Sequence, residues 1–396
     1  MMNLKSTNIS LYVHIPFCSN KCKYCDFYSE TDGFNRIPLV VTQIINQLDF
    51  WLNKLGSPNI TTIFIGGGTP SILPIDELDR LLKHIDRLTP NRVEWSIESN
   101  PESITDSFLN CCNRYGVSRL SIGVQSINNA TLNVLGRRVE PNRVVDALKL
   151  VKKYWRGQFS LDFITSVPNQ SREMVLNDIN FAIQSNPDHI SFYALSLEDG
   201  TKLEDEVSKG IIEELEPKKS EDLWLYGREL LKNAGYINYE VSNYTKSTPC
   251  LHNINYWELK PYLGIGPGAV STLIDKDNQI IRVSNKKSIN EFLKGRESNW
   301  GEEYERLNPE EFLEDYIIMG LRLKRGINRK RFKNIFNVDI WDVIPISKKL
   351  EEDGVISTDS DFYKFSKRGF NIMNTFLVEI LDSIKGVKIR DLNWFY

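Results

Sequence analysis

Short apolar stretches alternate with longer amphipathic ones over the first 245 residues of the chain. The short stretches predict strands, and the longer ones, with apolar residues three and four apart, predict helices. This alternation is typical of repeated βα units around a parallel sheet. Helices are predicted at residues 37–55, 75–87 and 141–154, and six strands at 11–15, 61–65, 93–98, 119–124, 159–165 and 190–195. The predicted fold class is therefore α/β, with a partial (β/α)6 barrel.

The pattern changes after Asn308. Helical periodicity covers residues 312–323, 329–336 and 340–352, a β-like stretch covers 354–365, and a last helix covers 368–384. Three helices and a hairpin predict a small, winged-helix-like α+β domain at residues 306–396. A glycine-rich and aromatic stretch at residues 236–271 follows the last barrel unit, and a segment at residues 246–305 is expected to connect the barrel domain at residues 1–245 to this domain. Winged helices often bind DNA, but no basic stripe is present, so a structural or lid role is favoured.

Composition narrows the class of protein. The chain has 396 residues, 41% of them hydrophobic and 26% charged, which is typical of a globular protein with a full core. Its 49 basic and 52 acidic residues are interspersed, so nucleic acid is not an expected partner. The first 30 residues lack a secretory signal pattern, and no segment approaches the roughly 20 apolar residues of a membrane span. A cytoplasmic location is therefore expected.

Three of the six cysteines lie within eight positions, directly after the first predicted strand. Cys18, Cys22 and Cys25 have CxxxCxxC spacing, which indicates a metal site in a reducing compartment more than a disulfide framework. A structural zinc site needs four ligands, and no second cysteine pair follows at the usual distance. A 4Fe–4S cluster held by three thiolates keeps one iron open for another ligand. The cluster is the favoured interpretation.

Polar or glycine residues follow the other predicted strands, where catalytic groups of parallel α/β folds gather. Gly66, Gly67, Gly68 and Thr69 follow the second strand, where missing side chains let a ligand approach the backbone closely. Glycine triplets also occur in tight turns, and single polar residues at strand ends are commonly caps. Further polar groups end the next three strands or follow them: Glu98, Asn100, Gln125, Ser126, Arg137 and Asp162.

These motifs together resemble the radical SAM superfamily, whose cysteine triad has an aromatic residue before the last cysteine, here Tyr24. The resemblance implies a 4Fe–4S cluster on Cys18, Cys22 and Cys25. It also implies that the open iron takes up the amino and carboxylate groups of S-adenosylmethionine. Reduction of the cluster then releases a 5′-deoxyadenosyl radical.

The stretches YVHIPFC, GGGTPS, IESNP, SIGVQS and GYINYEVSNY resemble the group that contains coproporphyrinogen III dehydrogenase (HemN) and the heme chaperone HemW. The chain after residue 306 resembles the HemN-type C-terminal domain. The resemblance implies a set of S-adenosylmethionine contacts along the strand ends: Tyr12, Gly67, Gly68, Thr69, Glu98, Gln125, Arg137, Asp162 and Ala194.

Two features favour the chaperone branch. The dehydrogenase has a further cysteine just beyond the triad, whereas Asp26 and Phe27 follow Cys25 here. The stretch HNINYW matches the HNxxYW motif of HemW, which implies heme held near four residues: His252, Asn253, Tyr256 and Trp257. An imidazole among aromatic faces suits a porphyrin, although buried packing is the commoner role of such a histidine.

The expected function is therefore that of a heme chaperone that delivers heme to a recipient protein, which could lie at a membrane surface. Coproporphyrinogen III dehydrogenase activity is expected to be absent. The alternative is an oxygen-independent coproporphyrinogen III oxidase, in which the radical abstracts hydrogen from a propionate side chain and carbon dioxide leaves. A third interpretation is a zinc-dependent winged-helix regulator, which leaves the strand-end motifs unexplained.

Overall fold

A computed structural model describes residues 8–275, 279–295, 299–389 and 392–393. It confirms all six predicted strands and places them side by side, all parallel, in sequence order. Each differs from its predicted bounds by a few residues at most. The strands are β1 (Asn8–Ile15), β2 (Asn59–Gly67), β3 (Glu94–Ser99), β4 (Arg119–Gln125), β5 (Gln158–Thr165) and β6 (His189–Ala194).

Amphipathic helices connect these strands, as parallel pairing requires. One helix shows the pattern: its buried Leu78, Leu81, Leu82 and Ile85 recur three and four residues apart and join the barrel core. The helices up to β6 are α1 (Ile37–Lys54), α2 (Ile75–Leu88), α3 (Asp106–Arg114), α4 (Asn129–Leu135), α5 (Pro141–Tyr154) and α6 (Arg172–Ser185). Short 3-10 turns lie at Phe34–Arg36, Pro70–Ile72 and Pro101–Ser103.

The sheet extends beyond the six predicted strands and stays open. On the β1 side it continues through β9 (Tyr262–Ile265), β10 (Val270–Ile274), β11 (Ile280–Ser284) and β12 (Glu303–Leu307). On the β6 side, β8 (Asn243–Thr245) and then β7 (Ile237–Asn238) add antiparallel pairs. The segment expected to connect two domains thus adds four strands to the sheet, while the predicted domain boundaries stay a prediction. Three further helices flank these strands: α7 (Lys202–Ser208), α8 (Pro217–Asn233) and α10 (Ile289–Leu293).

Helix α9 (Leu251–Trp257) packs at the N-terminal ends of β1, β2 and β3. Asn255 Nδ2 donates to Ser10 Oγ at 3.1 Å. The Glu94 carboxylate accepts the backbone N–H groups of Leu251 and His252, each at 2.9 Å, and so caps the first turn of the helix. Arg119, in β4, lies 3.8 Å from the same carboxylate. A buried ion pair therefore fixes this helix to the sheet.

The C-terminal unit has its own core, in which Phe312, Tyr316, Phe332 and Phe336 contact one another. The predicted helix at residues 340–352 is divided near Pro345, which cannot donate a helical hydrogen bond. The unit contains a three-stranded antiparallel sheet and six helices among the described residues. Its elements are α11 (Pro309–Leu321), β13 (Ile327–Asn328), α12 (Arg329–Phe336), α13 (Ile340–Val343), α14 (Ser347–Glu352), β14 (Ile356–Thr358), β15 (Phe362–Phe365), α15 (Lys367–Asn371) and α16 (Met373–Ile384).

No helix in the described part of the chain is both long enough and apolar enough to cross a membrane.

Removing the Glu94 side chain is expected to loosen α9 and destabilise the fold. In Glu94→Ala, two backbone N–H groups lose their acceptor and the buried Arg119 guanidinium loses its carboxylate, which together cost about 3 kcal/mol. Urea denaturation followed by circular dichroism measures the change. Glu303→Ala, on the exposed face of β12, is the matched control and should change the free energy of unfolding by less than about 0.5 kcal/mol. Equal effects of the two substitutions would contradict this role of Glu94.

Candidate cofactor site at the C-terminal ends of the strands

The three cysteines of the triad lie in the loop that leaves β1. Cys18 N donates to Glu30 O at 3.0 Å, and Glu30 N donates to Pro16 O at 2.8 Å, so the loop returns to its own start. All three thiols are free and partly exposed. Burial first, and then the nearby Cys22 and Cys18, raise the pKa of the Cys25 thiol to about 11. The three sulfurs therefore lie close enough to interact electrostatically.

The described residues contain no group of three or more His, Cys, Asp or Glu side chains that could hold one metal ion. A structural zinc site needs its ligands around a single metal ion. A cubane cluster has a separate iron for each thiolate, so its cysteines do not share one centre. The arrangement is compatible with a cluster.

The glycine triplet is the surface against which the cysteine loop packs. Gly68 N donates to Ile15 O and Thr69 N donates to Phe17 O, both at 2.7 Å. A Cβ on Gly68 would lie 2.4 Å from Phe17 O and 2.8 Å from Ile15 O, which are backbone atoms that cannot turn away. At Gly67, which has φ 102°, a Cβ would meet the His14 ring at 2.5 Å. Here the glycines permit close approach between two parts of the chain itself.

A chain of polar contacts connects two of the cysteines. Cys18 Sγ lies 3.1 Å from Thr69 Oγ1, which accepts a hydrogen bond from Asn100 Nδ2 at 2.9 Å. Arg137 donates to Asn100 Oδ1 at 3.2 Å and to Gly123 O at 2.6 Å, and its Nη1 lies 3.8 Å from Cys22 Sγ. The Arg137 Nε atom is buried without a partner. A buried cation is thus held beside a thiol that would carry negative charge on a cluster.

His14 ties the cysteine loop to β1 from the other side. Its Nε2 lies 2.8 Å from Tyr28 O, which can only accept, so Nε2 carries the proton. Nδ1 then accepts from the Tyr12 hydroxyl at 2.9 Å. Burial lowers the pKa of His14 to about 4, which keeps the imidazole neutral. The predicted contact residue Tyr12 therefore also positions the loop.

Glu98 and Asp162 face a cavity of about 190 Å³ inside the barrel. Burial raises the pKa of Glu98 to about 8, and the nearby Asp162 carboxylate adds to this effect. The Gly67 N–H, which donates to Glu98 at 3.1 Å, partly opposes the shift. Enclosure also raises the pKa of Asp162, which accepts from Ser121 at 2.7 Å and Ser160 at 3.1 Å. Glu98, beside the glycine turn, and Asp162, within β5, could accept hydrogen bonds from ligand hydroxyl or amino groups.

Gln125 and Ala194 end their strands at this same edge. Gln125 has φ 68° and follows a register shift between β4 and β5, a backbone conformation that non-glycine residues rarely adopt. Such strain commonly marks functional sites. The predicted cysteine and cofactor residues therefore lie at or near the C-terminal ends of the strands, apart from Tyr12 and Asp162, which lie within theirs.

The four residues of the HNxxYW motif lie at the other end of the strands. His252 is fully buried, and its Nδ1 lies 3.0 Å from Thr62 Oγ1 near the start of β2. Five residues separate Thr62 from Gly67, which is roughly 17 Å along a strand. The imidazole contacts the rings of Phe64 and Tyr256, with centroids 5.4 and 4.7 Å away. The structure thus brings the motif together but separates it from the triad.

The His252 Nε2 atom has no hydrogen-bond partner and is buried. Thr62 Oγ1 donates to Ser10 Oγ at 2.8 Å, so it accepts from a protonated Nδ1, which leaves a free lone pair on Nε2. This tautomer is the one that ligates metals through Nε2. Coordination of heme iron by His252 would nevertheless require α9 to move, because the side chain has no exposed surface.

Comparisons with known proteins agree with this geometry. Sequence models of the radical SAM superfamily and of the HemN C-terminal domain match residues 12–182 and 307–372. Heme chaperone HemW from Buchnera aphidicola subsp. Acyrthosiphon pisum is 33% identical over 93% of this chain and 97% of its own length. The Escherichia coli K12 protein of the same name is 36% identical over 74% of this chain and 78% of its own length. The chain belongs to the HemW family of the radical SAM superfamily.

A solved structure of a more distant member of the superfamily has the same fold as this chain. Coproporphyrinogen III oxidase (HemN) from Escherichia coli superposes with a TM-score of 0.79 over 96% of this chain and 91% of its own, at 18% identity. A mouse relative, radical S-adenosyl methionine domain-containing protein 1, mitochondrial, is 29% identical over 96% of this chain and 89% of its own length. This chain therefore shares the fold of HemN over nearly its whole length.

Several buried polar residues of this HemW-family chain were not predicted. Arg119, Ser160 and His189 lie at the bases of β4, β5 and β6, and His189 contacts Ser160 and Tyr239 at 2.8 Å each. Polar residues that alternate within the strands could have revealed this interior row, because side chains of one face recur at every second position. Asp178 accepts from Ser126 and Ile127 and holds the loop after β4. Nothing in the sequence around it predicts that role.

Gly68→Ala is expected to abolish most cluster loading while the secondary structure is kept, because the added methyl group pushes the cysteine loop off β2. Iron and acid-labile sulfide per chain after anaerobic reconstitution should fall at least about tenfold. Gly210→Ala is the control, since a Cβ there meets nothing within 4 Å and carries only the cost of its positive φ. Full loading of the Gly68→Ala variant would show that close packing of the loop is dispensable.

The free energy of unfolding of the cluster-free protein should increase as pH falls from 8 to 6.5. Burial raises the folded-state pKa of Glu98 to about 8 and of Asp178 and Glu240 to about 7, so the folded chain binds protons that the unfolded chain has released. Below pH 6.5 the gain should level off. The unfolded chain then takes up protons on three histidines that burial keeps neutral in the folded chain: His14, His189 and His252, whose pKa values are all lowered, to about 4 for His14 and about 3 for His252.

Urea titrations at half-unit pH steps measure this dependence, and the increase should exceed about 1 kcal/mol. Asp178→Asn should make the free energy of unfolding depend less steeply on pH between 8 and 6.5. The folded variant then takes up protons on Glu98 and Glu240 but no longer at position 178. A stability that falls as the pH is lowered through this range would contradict the assignment.

Proposed function

We propose that this chain is a heme chaperone that holds a 4Fe–4S cluster and S-adenosylmethionine and delivers heme to a recipient protein. The observation that carries the proposal is the similarity to relatives named heme chaperone HemW over nearly the full length of both chains. The triad supports it, because three cysteines leave one iron of a cluster open, and Asp26 and Phe27 follow where the dehydrogenase has a further cysteine.

Cys18, Cys22 and Cys25 would hold the cluster, which would supply an electron to S-adenosylmethionine. Arg137 would place a positive charge beside the thiolate of Cys22, since its guanidinium already lies next to that sulfur. The charge of Cys22 helps keep the pKa of Arg137 raised against the effect of burial. This side chain would therefore stabilise the anionic cluster.

The predicted S-adenosylmethionine contacts fall into two kinds, backbone groups and carboxyl groups. Gly67, Gly68 and Thr69 give a backbone surface beside the cysteine loop, and Glu98 and Asp162 give acceptors for hydroxyl or amino groups. Tyr12, Gln125, Arg137 and Ala194 would complete the set. A protonated Glu98, favoured by its raised pKa, could also donate one hydrogen bond.

Heme binding at His252, Asn253, Tyr256 and Trp257 stays a proposal that needs α9 to open. The unpartnered Nε2 of His252 supports it, and the complete burial of this side chain opposes it in the conformation described here. The domain division at residues 245 and 305, the cytoplasmic location and the identity of the recipient protein also stay predictions.

The proposal predicts stoichiometric heme binding without decarboxylation of coproporphyrinogen III. Anaerobically reconstituted protein is titrated with heme and assayed in parallel for carbon dioxide release from coproporphyrinogen III. Cys22→Ala should lose the cluster, whereas Cys111→Ala, a buried cysteine outside the triad, should keep it. Robust decarboxylation would instead establish the oxidase, and zinc in place of iron and sulfide would support the regulator.

A further inference from the structure

The interior of the barrel carries a row of polar side chains on three neighbouring strands. Ser121 of β4 pairs in register with Ser160 of β5, and Ser160 pairs with His189 of β6. Asp162 lies two residues further along β5 and pairs with Ser191 of β6. Residues two apart on a strand share a face, and all five side chains line the cavity of about 190 Å³.

Asp162 accepts hydrogen bonds from three hydroxyl groups, one on each of the three strands. Ser121 donates to Oδ2 at 2.7 Å, and Ser160 donates to Oδ1 at 3.1 Å. Ser191 supplies the third hydrogen bond. Burial raises the pKa of Asp162, and these three hydroxyls oppose that effect. The donors therefore stabilise the charged form of this carboxyl group.

Glu98, the other carboxyl group that lines the cavity, has fewer donors. Within the described residues it accepts a hydrogen bond from the Gly67 N–H, at 3.1 Å. Burial first, and then the charge of Asp162, raise the pKa of Glu98 to about 8. Of two neighbouring carboxyl groups, the one with more donors keeps its charge and the other keeps a proton. Near neutral pH the geometry thus favours a charged Asp162 beside a protonated Glu98.

A line of hydrogen bonds reaches Asp162 from the start of helix α9. His189 Nδ1 lies 2.8 Å from Ser160 Oγ, and His189 Nε2 lies 2.8 Å from the Tyr239 hydroxyl. That hydroxyl accepts from the Cys250 N–H at 3.4 Å, immediately before α9. The line therefore connects the base of the barrel to a predicted cofactor residue.

The direction of this line follows from the protons available. Burial first, and then the Arg119 charge, lower the pKa of His189, so the imidazole is neutral and has one N–H. If Ser160 donates to Asp162, its oxygen accepts from Nδ1–H of His189, and Nε2 accepts the Tyr239 proton. In the opposite direction Asp162 would lose a donor, and the Tyr239 proton would have no acceptor among the described contacts. The first direction uses every proton.

We propose that Asp162 is kept as the charged acceptor for S-adenosylmethionine by four positioning residues: Ser121, Ser160, Ser191 and His189. This inference rests on the proposed binding of S-adenosylmethionine and gives the interior row a role in it. A charged carboxylate accepts hydroxyl or amino protons more strongly than a neutral carboxyl group does. Glu98, which keeps its proton, would present a donor instead. The ligand would then meet one acceptor and one donor, without two like charges facing each other.

The first test measures the dissociation constant of S-adenosylmethionine on anaerobically reconstituted protein by calorimetry. Ser121→Ala removes the shorter of the two measured hydrogen bonds to Asp162 and should weaken binding at least about fivefold. Ser121→Thr keeps the hydroxyl and should bind within about twofold of wild type. Ser96→Ala is the matched control, because Ser96 lines the same cavity and its Oγ has no hydrogen-bond partner among the described residues.

A second comparison asks which carboxyl group carries the charge. Asp162→Asn and Glu98→Gln each replace a carboxyl group by an uncharged amide of the same shape. Near pH 7, Asp162→Asn should weaken binding at least about tenfold more than Glu98→Gln does, because only the first variant removes a negative charge. Equal losses, or a larger loss for Glu98→Gln, would contradict the assignment.

Nitrogen NMR of the imidazole rings tests the direction of the line on cluster-free wild type, which has four histidines. The signals that are missing from His189→Asn identify His189. This ring should be neutral and carry its proton on Nδ1. A proton on Nε2 would reverse the line and overturn the role of His189.

The outcomes separate this assignment from the proposed function. If wild type binds S-adenosylmethionine and Ser121→Ala binds it as tightly as Ser96→Ala, the positioning role is wrong and the proposed function stands. If cluster-loaded wild type binds no S-adenosylmethionine, the proposed function fails in its cofactor and the positioning role fails with it.

Discussion

The close contact between the glycine turn after β2 and the cysteine loop after β1 is the constraint on which the cofactor end of the protein depends. Two backbone hydrogen bonds of 2.7 Å join the turn to the loop, and they form only because Gly68 has no side chain. Three further contacts then hold the loop from other directions: His14 to Tyr28, Thr69 to Cys18 and Arg137 to Cys22. The triad is thus held in place by residues of β1, of the turn after β2 and of the segment after α4.

The cysteine triad and the HNxxYW motif lie at opposite ends of the strands because of the direction in which the chain runs. Parallel strands bring all their C-terminal ends to one edge of the sheet. The triad, the glycine turn and Glu98, whose pKa is raised by burial, lie at that edge. Helix α9 comes after the last barrel strand and returns to the opposite edge, where Glu94 and Thr62 receive it.

Much of this could be predicted from local pattern. Alternation of strand and helix predicted β1 to β6, and cysteine spacing predicted the triad, because both depend on residues close together in sequence. The strands β9 to β12 were missed although β10 and β11 are rich in β-branched residues, because this part of the chain lacks the regular strand–helix alternation on which the prediction rested. The burial of His252 could not be predicted, since it depends on Phe64 and Thr62, about 190 residues away. The contacts of Arg228 and Lys324 with the Phe370 ring likewise join residues far apart in sequence.

An open sheet leaves two edges whose backbone groups could recruit strands from other molecules. One edge strand, β7, has only two residues, too few to template an added chain. The other, β12, has four exposed residues, of which Glu303, Glu305 and Arg306 are charged. A short edge and a charged edge both oppose pairing with a strand of another molecule, so the sheet can stay open without a partner at either end.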